Sequence, residues 1–239
     1  MSEALLEVTG LTRRFGGVAA LDDLNFRVRD GETRCIIGPN GAGKTTFLNV
    51  VCGLVRPTSG RVTFAGHTMS RVSPSRMAHS GMVRSFQTPT VFGGLSIELN
   101  LQLGARRPGA PEGWADRVEH MLAELGMDDR RTQPARDLSH GEKKRLEIGM
   151  MITGVPRLLL LDEPTAGMSI RETDEVVDML RRLCGGMTVV IIEHDMSFVR
   201  QIADRVSVFH RGSLLVEGSL EEIQADKRVQ DVYLGSGVD

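Results

Sequence analysis

The stretch GPNGAGKTT, Gly38 to Thr46, constrains this chain more than any other. It has the spacing Gly-x-x-x-x-Gly-Lys-Thr. The apolar run TRCII precedes it, and the helically spaced run TTFLNVVCGL overlaps its end and continues beyond it. A strand that breaks at glycines and continues as a helix is built to hold phosphate. Gly38, Gly41 and Gly43 let the backbone come close to phosphate oxygens, with Pro39, Asn40 and Ala42 between them. The N–H groups at the helix start meet the negative charge. Lys44 supplies a point charge for the β- and γ-phosphates, Thr45 a hydroxyl for Mg2+, and Thr46 continues the first turn. A glycine turn that binds nothing leaves this strand-and-helix context unexplained.

The rest of the chain agrees with an α/β core. ALLEVTGL (4–11) and LNFRVRDGE (24–32) alternate like strands, with turn residues between them, and RVTFAG (61–66) reads as another. RLLLLDEP (157–164) and TVVIIEHD (188–195) are continuous apolar runs, the pattern of parallel strands buried on both faces. VSVFHRG and LLVEGS (206–219) suggest a hairpin. Residues 73–84 are expected to be helical, 84–96 irregular, and 97–150 helical apart from a loop at 106–113. The formal net charge of −2 and the scarcity of aromatics (4%) give no field or stacking platform for nucleic acid. Cys35, Cys52 and Cys184 fit no disulfide or zinc spacing, so buried thiols in a reducing compartment are expected. The N-terminus lacks a signal-peptide pattern. The longest strongly apolar run, LLLL, is far short of the ~20 residues that span a bilayer.

Three further features concern phosphate. Asp162 and Glu163 end a buried strand, at the sheet edge where ligands sit in open α/β folds. Asp162 is the expected indirect partner of Mg2+, and Glu163 the expected general base for an attacking water. His194 ends another buried strand, in reach of a γ-phosphate. The third is LSHGE, residues 138–142, a turn that opens a helix and so forms a second anion site. A helix cap by Ser139 accounts for the serine and leaves Gly141 unexplained.

These residues resemble, in order and over essentially the whole chain, the ATP-binding subunits of ABC transporters. GPNGAGKTT is similar to the Walker A motif, LLLLDE to Walker B, LSHGE to the signature motif and AGMS (166–169) to the D-loop. Gln87 falls at the Q-loop glutamine, which in the family contacts Mg2+ and the attacking water. His194 falls at the switch histidine, and Phe15 at the adenine-stacking position. The resemblance implies a P-loop core with a mixed sheet (1–84 and 151–225, including an antiparallel β part), an inserted helical part (85–150) and a short C-terminal segment (226–239).

It also implies ATP and Mg2+ as cofactors and a head-to-tail pair with a second ATPase, a paralogue or a copy of itself. In such a pair Ser139, His140, Gly141 and Glu142 would face the partner's ATP. Two membrane permeases and an external solute-binding protein complete the implied complex, with this chain on the cytoplasmic side of the inner membrane. Val91, Phe92 and Leu95 suit a permease helix laid in a groove, or packing within the chain's own helical part. His140 and Glu142 depart from the usual Leu-Ser-Gly-Gly-Gln. A carboxylate at Glu142 repels phosphate unless it faces Lys143, Lys144 or the partner. VQDVYLG (229–235) and the Q-loop region FQTPTVFGGLSIELNL (86–101) look like the importers of branched-chain amino acids and urea, and LSHG followed by KKRLEIGMMI, with AGM (166–168) after Walker B, looks more like the urea type. The alternatives are the same role in a branched-chain amino acid importer, a non-transport ABC ATPase acting on DNA or ribosomes, and a P-loop kinase.

Overall fold

The protein, described by a computed structural model, is defined at residues 4–69, 73–86 and 88–234. A six-stranded sheet forms its centre, built from β3 (Thr33–Ile37), β6 (Met82–Arg84), β7 (Leu158–Asp162), β8 (Thr188–Ile192), β9 (Arg205–His210) and β10 (Ser213–Gly218). The strand order is β10-β9-β3-β8-β7-β6, parallel except for the β9–β10 hairpin. The apolar runs explain why the central strands are buried on both faces. Leu159 and Leu161 of β7 enter one hydrophobic cluster, and Leu158 and Leu160 enter the other. Cys35 and Ile37 of β3 face the first cluster and Ile36 the second.

The second cluster is closed by an antiparallel sheet of order β2-β1-β4-β5, formed by β1 (Ala4–Phe15), β2 (Val18–Arg29), β4 (Ser59–Phe64) and β5 (His67–Thr68). Residues 12–15 and 18–23, read from the sequence as turn, belong to these strands. The chain reverses only at Gly16 and Gly17, and register shifts on β1 between Val8 and Arg14 blur the alternation that marks a strand.

Helices cover both faces. On the side of the second cluster, α1 (Lys44–Val51) leaves the glycine loop and α2 (Pro74–His79) precedes β6, and Phe47, Leu48, Val50, Val51 and Met77 join that cluster. The other side carries the remaining helices. α3 (Ile97–Ala105), α4 (Trp114–Leu125) and α5 (His140–Thr153) pack on one another. α6 (Ile170–Leu183), α7 (Met196–Ile202), α8 (Leu220–Ala225) and α9 (Lys227–Leu234) complete the chain. The helix expected over 73–84 is cut short. Gly81, with φ 96°, ends it, and Met82–Arg84 pair in parallel with β7 as an edge strand too short to show a period. The three cysteines are free and buried, and burial pushes each thiol well above its usual range.

Candidate functional site

The glycine loop runs from the end of β3 into α1. Two of its glycines are dictated by contact as well as by backbone angle. A Cβ at Gly38 (φ 150°) would lie 2.2 Å from the Phe209 carbonyl oxygen, and one at Gly43 (φ 99°) 2.5 Å from that of Ala20. Behind the loop, Phe26, Phe47 and Phe209 pack edge to face, with centroids 5.0 to 5.9 Å apart, and form a rigid backing. Gly43 caps α1 without a side-chain acceptor, so the first-turn N–H groups of Lys44, Thr45 and Thr46 are open to an anion. Lys44 Nζ donates to the carbonyls of Gly38 (2.6 Å) and Pro39 (3.0 Å). Burial lowers its pKa, while the charges of Glu163 and Asp162 oppose that shift, so both carboxylates share the lysine's field. Pro39 and Ala42 lie within the loop, and Asn40 and Gly41 are exposed on it. Phe15 is 48% exposed, with the Arg13 guanidinium 4.3 Å from its ring centroid, so one ring face is covered by a cation.

Asp162 is buried. Oδ2 accepts from Arg84 Nη2 at 2.9 Å, the backbone N–H donates to Ser85 Oγ, and Oδ1 has no hydrogen-bond partner. The same guanidinium donates to Asn49 Oδ1 of α1 at 2.6 Å. A buried carboxylate oxygen without a partner, with the exposed Thr45 on the glycine loop, fits a hard cation that takes few protein ligands and completes its shell from phosphate and water. Among the described residues no cluster of three His, Cys, Asp or Glu side chains could hold a metal by itself. Glu163 is half-buried and has φ 48°, rare for a residue with a side chain. Its N–H donates to the Ile192 carbonyl, and its own carbonyl accepts from Ala166. His194 is exposed, at the end of the neighbouring strand. Gln87 lies outside the described residues.

The second turn starts α5 with a full capping box. Ser139 Oγ accepts from Glu142 N–H at 3.2 Å, and Glu142 Oε2 accepts from Ser139 N–H at 2.8 Å. Glu142 therefore faces neither Lys143 nor Lys144. Its other oxygen accepts from Arg130 Nη2 at 2.7 Å. Partial burial opposes its ionisation, but the bonds from Ser139 and Arg130 outweigh that and hold its pKa below the usual range. Gly141 has a cause within the chain: an added Cβ would lie 2.5 Å from Glu172 Oε1, and Glu172 is itself fixed in a capping box with Ser169. His140 stands beside Gly167 and within the field of Glu172.

Sequence reasoning missed Arg84, whose signal was a charge on an apolar segment next to Ser85. It also missed Tyr233 of α9. Burial pushes this phenol's pKa up to about 12, although a bond with the Gly38 backbone pulls it down, so the C-terminal helix touches the glycine loop.

A phosphate loop, two strand-end carboxylates and a capped second turn on a separate helix define an ATP-binding cassette. The chain belongs to the ABC transporter family, whose model matches residues 21–166, and it is an ATPase. A model for branched-chain amino acid ATP-binding cassette transporters matches residues 213–239. The chain is 34% identical to the high-affinity branched-chain amino acid transport ATP-binding protein BraF of Pseudomonas aeruginosa, covering 98% of this chain and 99% of that protein. It is 32% identical to LivG of Escherichia coli over the same shares. It is 38% identical to the cobalt import ATP-binding protein CbiO of Rhodobacter capsulatus, covering 93% of this chain and 81% of that one. A crystal structure of an ATP-binding cassette of an ABC transporter in its ADP conformation superposes with a TM-score of 0.86 at 30% identity, covering 98% of this chain and all of the other. Among the described residues no helix is long and apolar enough to cross a membrane.

Proposed function

We propose that this chain energises an importer of branched-chain amino acids, as one of two ATP-binding subunits packed head to tail on two membrane permeases. An external binding protein delivers the solute, and the chain works from the cytoplasmic face of the inner membrane. The observation that carries the solute class is the match of residues 213–239 to the branched-chain amino acid cassette model. The urea reading has only a few residues of the signature helix and the AGM after Walker B behind it, and gives way to this match. The cobalt-type relative shows that identity over the ATPase body does not by itself choose a solute.

In this reading the loop N–H groups and Lys44 bind the phosphates, and Phe15 stacks on the adenine with the face that Arg13 leaves free. Thr45, Asp162 and Gln87 would hold Mg2+, which would neutralise charge on the phosphates when bound. Glu163 takes the proton of the attacking water, and His194 orients the γ-phosphate. Ser139, Gly141 and the start of α5 complete the partner's site. His140 turns towards its own Gly167, and Glu142 is paired with Arg130. Phe86, Phe92, Leu99 and Leu103 are exposed apolar side chains on the segment that would meet the permease.

The test is uptake of labelled leucine and labelled urea by the native cell, with the intact chain or Lys44→Ala. Leucine uptake is expected to fall to background and urea uptake to persist. Loss of urea uptake alone would reinstate the urea reading.

A further inference from the structure

Glu193 ends the buried run of β8 and is 1% exposed, yet no lysine or arginine pairs with it among the described residues. Its charge is met by four donors from two turns. Oε1 accepts from Thr165 N–H (3.2 Å) and Thr165 Oγ–H (2.6 Å), and Oε2 from the N–H groups of His194 (3.0 Å) and Asp195 (3.4 Å). Thr165 follows Glu163 by two positions, in the turn that holds Glu163 at φ 48°. His194 is the next residue along, its ring Nδ1 3.7 Å from the same Oε2. The Glu193 backbone N–H donates to Ile36, on the strand that feeds the phosphate loop.

We infer that Glu193 is a positioning residue for ATP hydrolysis: its carboxylate ties the turn carrying Glu163 to the turn carrying His194 and fixes the two groups relative to one another. The inference rests on the proposed roles of Glu163 and His194. An isolated buried carboxylate is costly unless every oxygen finds donors. Here the donors are the backbone and hydroxyl of the two turns, so the charge is tolerated only while both turns keep this shape. Only an acceptor at both ends fits. A glutamine would aim its NH2 at N–H or O–H donors on one side, whichever way the amide is turned. Glu193→Gln therefore changes the strap without changing its volume.

The experiment measures ATPase kinetics of the full chain, purified with the subunits that accompany it, together with fluorescent-ATP affinity and melting. For Glu193→Gln we expect kcat to fall about 10- to 100-fold, as a misplacement of order 1 Å does. Nucleotide affinity should stay within about twofold and the melting transition should be preserved. Thr165→Val removes only the hydroxyl arm and should lower kcat about threefold to tenfold. It also serves if Glu193→Gln fails to fold. In a His194→Ala background the effect of Glu193→Gln should shrink well below its size in the wild type, because part of what it positions has gone. An unchanged kcat in folded variants, a parallel fall of affinity and folded fraction, or losses that simply multiply with His194→Ala would each overturn the inference. Glu163→Gln is run alongside. If it kept its rate, the reading of Glu163 would fail independently of the strap.

Discussion

In the proposed dimer Glu142 would lie near a partner's γ-phosphate, and it is held by its own N-cap and by Arg130. A glutamine there keeps the capping box, since its amide oxygen still accepts from Ser139 N–H, and removes one negative charge from the helix N-terminus. A charge at that end of a helix is worth about 0.3–1 kcal/mol. Glu142→Gln should therefore lower the KM for ATP about twofold to fivefold and leave kcat near wild type. A steady-state titration reads this, and a KM that stayed or rose would show that Arg130 already cancels the charge. Gly141 makes the opposite case. Gly141→Ala sets a methyl against the fixed Glu172 carboxylate and should cost about 1–3 kcal/mol of stability by overpacking, read by chemical denaturation.

Helix α5 carries more than the turn at its start. Lys144 is 2% exposed; its Nζ donates to the Phe86 carbonyl at 2.8 Å and stands 3.0 Å from Glu147 Oε2, an ion contact outside hydrogen-bond geometry. Glu147 Oε1 accepts from Thr90 N–H at 2.9 Å. The pair thus pins Phe86 and Thr90 to the signature helix. Lys144→Met leaves Glu147 buried without its cation and should cost about 3–5 kcal/mol in denaturant unfolding. A loss under ~1 kcal/mol would mean that water reaches the carboxylate. The sequence made the glycine loop, β7, β8 and the terminal hairpin legible, because each is a run of one period ending in residues with one chemistry. It did not show Lys144 as buried, since three consecutive cations, Lys143, Lys144 and Arg145, are alike in sequence and only tertiary packing separates them. Nor did it show β6, whose three residues are strand only because the edge of β7 offers them a ladder. Arg84 was illegible because its partners Asn49 and Asp162 lie far away in sequence, and Glu193 because the donors that complete its shell come from the distant Thr165.

In the proposed reading the molecule carries two half-sites, the phosphate loop and the signature turn, with different neighbours within one chain. The signature turn has Arg130, Glu172 and Gly167 for neighbours, and the phosphate loop has Ala20, Phe209 and Gly212. A chain with both halves can complete two sites by pairing with a second copy turned head to tail, so two identical chains suffice even where the working partner is a paralogue. In the proposed pair ATP would bridge the phosphate loop of one copy and the turn of the other, and hydrolysis by Glu163 would release it. Blocking hydrolysis should trap the closed pair. Glu163→Gln should lower kcat at least about 100-fold. In the presence of ATP it should also convert the 26.2 kDa chain to roughly twice that mass in light scattering, whereas Lys44→Ala should remain single. Ser139→Arg added to Glu163→Gln should keep ATP binding, because its own phosphate loop is intact, and lose the pairing, because the turn can no longer approach a partner's phosphate. If Glu163→Gln bound ATP and stayed single, self-pairing through these half-sites would be excluded. If Ser139→Arg still paired, the turn would not be what the partner's nucleotide touches.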